Sequence, residues 1–349
     1  MATTYRGGLR DELDRFVGEG LRRAVGQSAD AQELWRQLGH AGRGGKKLRP
    51  ALLFASYDCF GGKDMELVCE VGAALELLHT AFVIHDDVID RDVVRRGSSN
   101  VSGFFTERAR ARGASEDGAV TLGVAAGVLA GDLALASAIQ QIAMCEASQE
   151  TTRQLLALLD DAVRVSAAGE LDDVVTSLCR STVTMEQVLA IAEQKTAWYS
   201  FRLPLLAGAV LAGAPQGTVD QLAVVGRLAG IGFQLVDDLR GVFGDEAETG
   251  KSVLSDLREG KMTALIAHAR TTSAWDRISP HLGDPALTAA AAATVRDLLE
   301  ACGSRRYVED LAEDYLKQAV DTAEHVGLEP SLLTEIGRLT QRMMRSDAA

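Results

Sequence analysis

The sequence predicts an all-α protein of long helices, and three observations carry that reading. Only six prolines occur in 349 residues, and none falls between Ala51 and Leu203. Proline breaks helix interiors, so a proline-free stretch rich in Ala and Leu favours long helices. Apolar residues recur at helical spacing: Leu67, Val71, Leu75, Leu78 and Phe82 form one stripe. Runs of β-branched and aromatic residues are few, which leaves strands little support.

Taken in order, the breaks between helices are expected at 42–45, 61–63, 108–118, 213–217, 244–260 and 280–285, where glycine, proline and charge cluster. Between them a second stripe starts at Leu155, Leu158 and Leu159 and continues through Ala162 and Val163. A third spans Val219–Val242. No repeat at a solenoid period is evident. The expected organisation is a single helical domain over 1–349, with most apolar residues of the stripes packing a bundle core.

Composition excludes some functions. A net charge of −13 makes nucleic acid a poor partner, because its phosphates need a basic face. Small phosphate ligands remain open, since a few local Lys and Arg can hold them. The five cysteines, at 59, 69, 145, 179 and 302, are scattered and form no CxxC pair, which points to reduced thiols in the cytoplasm. The polar N-terminus lacks an apolar signal core. The apolar stretches Val120–Ala130 and Leu203–Ala214, closed by Asp132 and Pro215, fall short of the roughly 18–20 residues a spanning helix needs. A soluble protein with no transmembrane segment is expected.

Two acidic segments carry the chemistry. The first, His85–Asp92, reads HDDVIDRD and continues an apolar helix. At ~100° per residue, Asp86 and Asp90 lie one turn apart on one face, with Asp87 a single step away. Like charges this close destabilise an isolated helix and become favourable around a divalent cation. Mg²⁺ takes oxygen ligands, commonly one or two carboxylates plus substrate phosphates. Arg95 and Arg96 follow at once and add phosphate-seeking guanidiniums. The second segment, Gly232–Gly241, again ends an apolar run with Asp237 and Asp238, but its fifth position is Gly241. A glycine-punctuated polar loop carrying Lys251, Asp256 and Lys261 comes next. Loops of this kind close over anions.

With these residues in view, the sequence resembles the trans-isoprenyl diphosphate synthases, or polyprenyl synthetases. The likeness spans about residues 40 to 265 and rests on motifs in order: GGKKLRP (Gly44–Pro50), ELLHTAFVIHDDVIDRDVVRRG (Glu76–Gly97), Lys195-Thr196, and GFQLVDD followed by TGK and DLREGK. It implies long helices around a deep central cavity, with the acidic motifs facing each other across its mouth, usually in a homodimer. It implies that Asp86 and Asp90, with Asp87, bind two Mg²⁺ ions and that Asp237, with Asp238, binds a third when substrate is present. Arg95, Lys195, Lys251 and Lys261 would contact the allylic diphosphate. Lys46, Arg49, His79 and Arg96 would hold isopentenyl diphosphate, and Thr196 and Gln234 would line the reaction centre. The implied reaction is Mg²⁺-dependent ionisation of the allylic diphosphate, carbon–carbon bond formation and proton loss to the departed diphosphate. Fixed cations offset the charge of the leaving group, and a dry cavity keeps the allylic cation from water. Gly241 departs from the family pattern, as does Glu170, where Gln is usual; Asp173 is expected to support the metal waters.

In this family, bulky residues before the first motif act as a floor for the growing chain. Phe82 lies four residues before Asp86, ~6 Å deeper along the helix. Ala81 is small, and Leu78 follows on the Phe82 face. One aromatic at this depth suggests twenty carbons or fewer, with geranylgeranyl diphosphate the expected product and farnesyl diphosphate the runner-up. Phe82 can instead pack against a neighbouring helix. A terpene cyclase would share the fold but needs one diphosphate site, whereas Lys46, Arg49 and Arg96 offer a second. A noncatalytic subunit of a heteromeric synthase would typically lose the acidic motifs; here only Gly241 departs. A helical protein that merely stores metal or phosphate has no need of two acid clusters and two cation sets.

Overall fold

The computed structural model describes residues 2–179, 183–244 and 255–325. The fold is all-α. Helices α1 (Ala2–Ala24), α2 (Ala29–Ala41), α3 (Leu48–Cys59) and α4 (Met65–Ile89) are followed by a short antiparallel hairpin, β1 (Val94–Arg95) and β2 (Ser98–Ser99). Then come α5 (Val101–Ala111), α6 (Glu116–Met144), α7 (Gln149–Cys179) and α8 (Met185–Ala192). A π-helical segment, Glu193–Arg202, leads into α9 (Leu203–Leu211) and α10 (Gln216–Phe243). The described chain ends with α11 (Ser255–Glu259), α12 (Ala264–Ala269), α13 (Trp275–Ile278), α14 (Ala289–Ala301) and α15 (Ser304–His325).

Local chemistry sets several of these boundaries. Asp64, Asn100, Ser115 and Thr184 each cap a helix by accepting a backbone N–H, and Thr184 with Gln187 forms a full capping box. α4 ends in a Schellman turn: Asp90 is the C-cap, Arg91 is left-handed at φ 59°, and Asp92 N–H donates to Asp87 O at 2.8 Å. The expected break at 108–118 is shorter, because α5 runs on to Ala111. The hairpin is the one pair of strands among the described residues. Arg96 and Gly97 both have positive φ, 52° and 74°, as a two-residue turn of this hand requires.

The chain divides into two compact units, Met1–Ala157 with Ala207–Gly213, and Leu158–Leu206 with Ala214–Ala349. In the first, Leu38, Ala81, Ile84, Val101, Phe105, Ala126, Ala130 and Ala134 form a core between α2, α4, α5 and α6. α6 meets α4 and α5 through small residues. A side chain at Gly127 would strike Val88 and Ser102, and one at Gly131 would strike His85. Its larger residues Val120, Val124, Val128, Leu129 and Ile139 are exposed. By length and composition alone, α4, α6 and α10 could each cross a membrane, and α6 runs past Asp132, the residue expected to close its apolar stretch. The most apolar window of α4 is 72% buried within the protein and that of α6 only 39%.

In the second unit, α10 packs on α15 and on the π-helical segment, above a core from α8, α10, α12, α14 and α15. The π segment has a local cause. Pro204 offers no N–H and its ring crowds the carbonyl four residues back, and Leu203 N–H instead reaches five residues back to Trp198 O. Two glycines let other helices approach this widened segment. A Cβ at Gly169 of α7 would sit 2.5 Å from Lys195 N, and one at Gly230 of α10 would sit 2.4 Å from Ala197 Cα. Gly230→Ala is therefore expected to cost about 1–3 kcal/mol by overpacking. Chemical denaturation followed by circular dichroism would measure it, and wild-type stability would show that the segment yields freely.

Candidate active site

The first unit presents an acidic array and a cationic array, joined by the hairpin. Asp86 and Asp90 are part-exposed at the C-terminal end of α4, one turn apart, with Asp90 N–H bonded to Asp86 O at 2.8 Å. Asp87 is separated from them. It is 3% exposed, and Arg95 Nε donates to its Oδ1 at 2.7 Å while Arg95 Nη2 lies 3.4 Å from Asp86 Oδ2. Burial raises the Asp87 pKa, against the opposing pull of Arg95. Asp87 therefore differs from the part-exposed Asp86 and Asp90: its buried carboxylate anchors Arg95.

The hairpin turn sends its two arginines in different directions. Arg95 returns to the acids, whereas Arg96 Nη1 donates to Arg43 O at 3.1 Å and its guanidinium lies against Gly44 and Gly45. Lys46 is exposed in the same loop and Arg49 is buried in the first turn of α3. His79 belongs to this array. Burial first, and then the nearby Arg49, Lys47, Arg96 and Arg95, hold its pKa well below the ordinary imidazole value. The ring is neutral at physiological pH and can donate or accept hydrogen bonds without adding charge.

Lys47 and Glu76 are site-supporting residues that the motif reading passed over. Lys47 Nζ donates to Glu76 Oε2 at 2.7 Å and to Gly42 O at 2.8 Å. The available signal was a glutamate inside the apolar stripe of α4, because a buried carboxylate demands a partner. Of the chain-length residues, Ala81 and Leu78 are fully enclosed and Phe82 keeps part of its surface exposed.

The second unit holds its own set. Lys195 Nζ donates to Asp173 Oδ2 at 2.6 Å and lies 2.9 Å from Glu170 Oε2. Thr196 Oγ1 donates to Gln234 Oε1 at 2.6 Å, and Gln234 Nε2 donates to Asp238 Oδ1 at 2.8 Å. This relay fixes the amide orientation of Gln234. Asp237 is exposed near the end of α10, whereas Asp238 is half-buried. Burial, with the carboxylates of Asp256, Asp237 and Asp173, pushes the Asp238 pKa well above its usual range despite the Gln234 bond. Lys261 Nζ lies 2.8 Å from Glu259 Oε2 and 4.0 Å from Asp256 Oδ1. A Cβ at Gly241 would sit 2.2 Å from Asp256 Oδ2, so the Asp256 carboxylate occupies the space an acidic fifth residue would need. Lys251 lies outside the described residues.

These donors suit a hard cation. All are carboxylate oxygens, and Asp86 and Asp90 lie at the C-terminal end of α4, where the backbone dipole is negative and anions are disfavoured without a counter-charge. Among the described residues no three His, Cys, Asp or Glu side chains already form a metal cluster.

Carboxylates interleaved with fixed Arg and Lys suit an enzyme that works on anionic ligands. Residues 32–298 match the Polyprenyl synthetase family. A geranylgeranyl diphosphate synthase from Sulfolobus acidocaldarius is 32% identical over 86% of each chain. A (2E,6E)-farnesyl diphosphate synthase from Mycobacterium tuberculosis is 31% identical over 81% of this chain and 75% of its own. The crystal structure of geranylgeranyl pyrophosphate synthase from Corynebacterium glutamicum, complexed with isoprenyl diphosphate and magnesium, superposes with a TM-score of 0.91 at 27% identity, covering 98% of both chains. The chain belongs to the polyprenyl synthetase family. It is a short-chain trans-prenyltransferase.

Removing Arg95 leaves the Asp87 carboxylate buried without its counter-charge. Arg95→Ala is expected to destabilise the protein by about 3–5 kcal/mol, with Arg95→Lys recovering part of the loss. Equilibrium denaturation at neutral pH checks this.

Proposed function

We propose that the protein condenses isopentenyl diphosphate with allylic diphosphates and makes geranylgeranyl diphosphate. The observation that carries the proposal lies within the first unit, where an acidic array at Asp86 and Asp90 and a separate cationic array at Lys46, Arg49 and Arg96, beside a neutral His79, are linked by one hairpin. Two anion-binding arrays suit two diphosphate substrates, whereas a cyclase needs one. The relatives named above, geranylgeranyl and farnesyl synthases, support the same size class.

In this reading Asp86 and Asp90 would hold Mg²⁺ for the allylic diphosphate, and the family resemblance gives Asp237, with Asp238, the same role. When bound, Mg²⁺ neutralises the charge that develops on the departing diphosphate. Arg95, kept in place by Asp87, and Lys195, kept in place by Asp173 and Glu170, offer further fixed positive charge to the same group; Lys261 and Lys251 join them. Lys46, Arg49 and Arg96 bind the diphosphate of isopentenyl diphosphate, with neutral His79 as a hydrogen-bonding neighbour. Its alkene attacks the allylic cation, a carbon–carbon bond forms, and the proton lost from the adduct goes to the released diphosphate. Thr196 and Gln234, fixed by their hydrogen-bond relay, supply dipoles near the cation without a nucleophile that would trap it. The reading treats the whole chain as one functional domain in the cytoplasm.

The decisive experiment supplies labelled isopentenyl diphosphate, Mg²⁺ and five-, ten- or fifteen-carbon primers, then sizes the dephosphorylated alcohols. A twenty-carbon alcohol abolished by EDTA is expected. A fifteen-carbon product would move the assignment to farnesyl diphosphate, and no product from any primer would favour a noncatalytic subunit. Phe82→Ala is expected to lengthen the product by one or more five-carbon units; an unchanged product would mean that Phe82 only packs.

The exposed face of α6 supports a homodimer. Its small residues are buried and its large apolar residues Val120, Val124 and Val128 remain exposed at one-turn spacing. A contiguous apolar face of this kind marks an association site. Sedimentation is expected to show a dimer, and Val124→Glu with Val128→Glu to shift it to monomer.

A further inference from the structure

Resting on the assignment of the cationic array to isopentenyl diphosphate, we propose that the Lys47–Glu76 ion pair is a positioning device for that substrate alone. Glu76 is 4% exposed and sits among the buried residues Val71–Leu78 of α4, where a lone carboxylate would be strongly disfavoured. Lys47 adopts a left-handed conformation at φ 50° and ψ 46°, unusual for a residue with a long side chain, and makes no side-chain cap to α3. Its ammonium is instead carried inward to Glu76 and to Gly42 O.

That choice separates two adjacent lysines. Lys47 turns toward α4 while Lys46 stays exposed and Arg49 enters α3. Glu76 lies three residues before His79, on the same side of α4. The pair therefore ties the loop carrying Lys46 to the helical turn carrying His79. Arg96 closes the same loop from the hairpin through Arg43 O. The cations surrounding His79 include Lys47 itself, and Glu76 is the carboxylate that offsets it. Without Glu76, Lys47 is free to compete with Lys46 and Arg49 for the ligand. The acidic array is held by different contacts, through Arg95 and Asp87, so it is not expected to move.

The test varies each substrate in steady-state kinetics for Glu76→Gln, Lys47→Met, the double variant and Lys47→Arg, with thermal melts in parallel. Glu76→Gln and Lys47→Met are expected to raise KM for isopentenyl diphosphate roughly 10- to 100-fold, the scale of a small misplacement of binding groups. KM for the allylic primer should change less than about three-fold, and Lys47→Arg should recover most of the loss. The double variant should be no worse than the poorer single one, because both remove the same link. The lysine variants keep the test open if Glu76→Gln does not fold. Equal rises in both KM values, or a loss of kcat alone, would overturn the inference. Calorimetric binding of isopentenyl diphosphate separates it from the functional reading. A wild type that binds the ligand but does not turn over, with binding weakened in Glu76→Gln, would remove the catalytic reading and keep the positioning role. A wild type that does not bind it would remove both.

Discussion

Carboxylates gathered at the C-terminal end of a helix are opposed by one another and by the helix dipole. α4 ends in Asp86, Asp87 and Asp90, and α10 carries Asp237 and Asp238 near its own end. Neither arrangement is tolerable without positive charge close by, and the surrounding chain answers that demand. In the first unit Arg95 is brought back onto Asp86 and Asp87 by a two-residue turn. In the second, Lys195 and Lys261 each lie among two acids. The fixed cations thus lie directly on the acids they offset, within each unit.

Packing serves this charge arrangement through close approach. Lys195 and Thr196 sit on a π-helical stretch that Gly169 and Gly230 allow two neighbouring helices to touch. A wider helix with i to i+5 bonding changes which side chains share a face. Here Lys195 points to the acids of α7 and Thr196 to Gln234 of α10. The same economy of side chain appears on α6, where Gly127 and Gly131 admit Val88 and His85 of α4 while Val120, Val124 and Val128 stay exposed.

Much of this was legible in the sequence. Proline scarcity and the apolar stripes gave the helical class, and the carboxylate spacing placed Asp86 and Asp90 one turn apart, where the structure has them. What stayed hidden has physical reasons. The difference between Asp87 and Asp86 is one of burial, and one residue step on a helix turns a side chain from solvent into the core. The hairpin needed positive φ at Arg96, which the sequence offers only through the neighbouring Gly97. The π segment was signalled by Pro204, but the register of the wider turn is set by tertiary contacts. Lys47 was passed over because a loop conformation, rather than composition, decides which of two adjacent cations turns inward.

Gly241 shows how a motif can mislead when read along one helix. On sequence it is a lost carboxylate in the second acidic segment. In the structure the space beside it holds the carboxylate of Asp256, which comes from α11, the next described helix along the chain. Asp256 also contributes to raising the Asp238 pKa, so the two carboxylates share one electrostatic neighbourhood. A side chain at 241 and the present position of Asp256 exclude each other, since 2.2 Å lies well inside any non-bonded contact. The absence at 241 and the position of Asp256 are therefore one feature: the glycine admits a carboxylate mounted only a few residues before Lys261, placing negative charge on the segment that also carries a cation of the site.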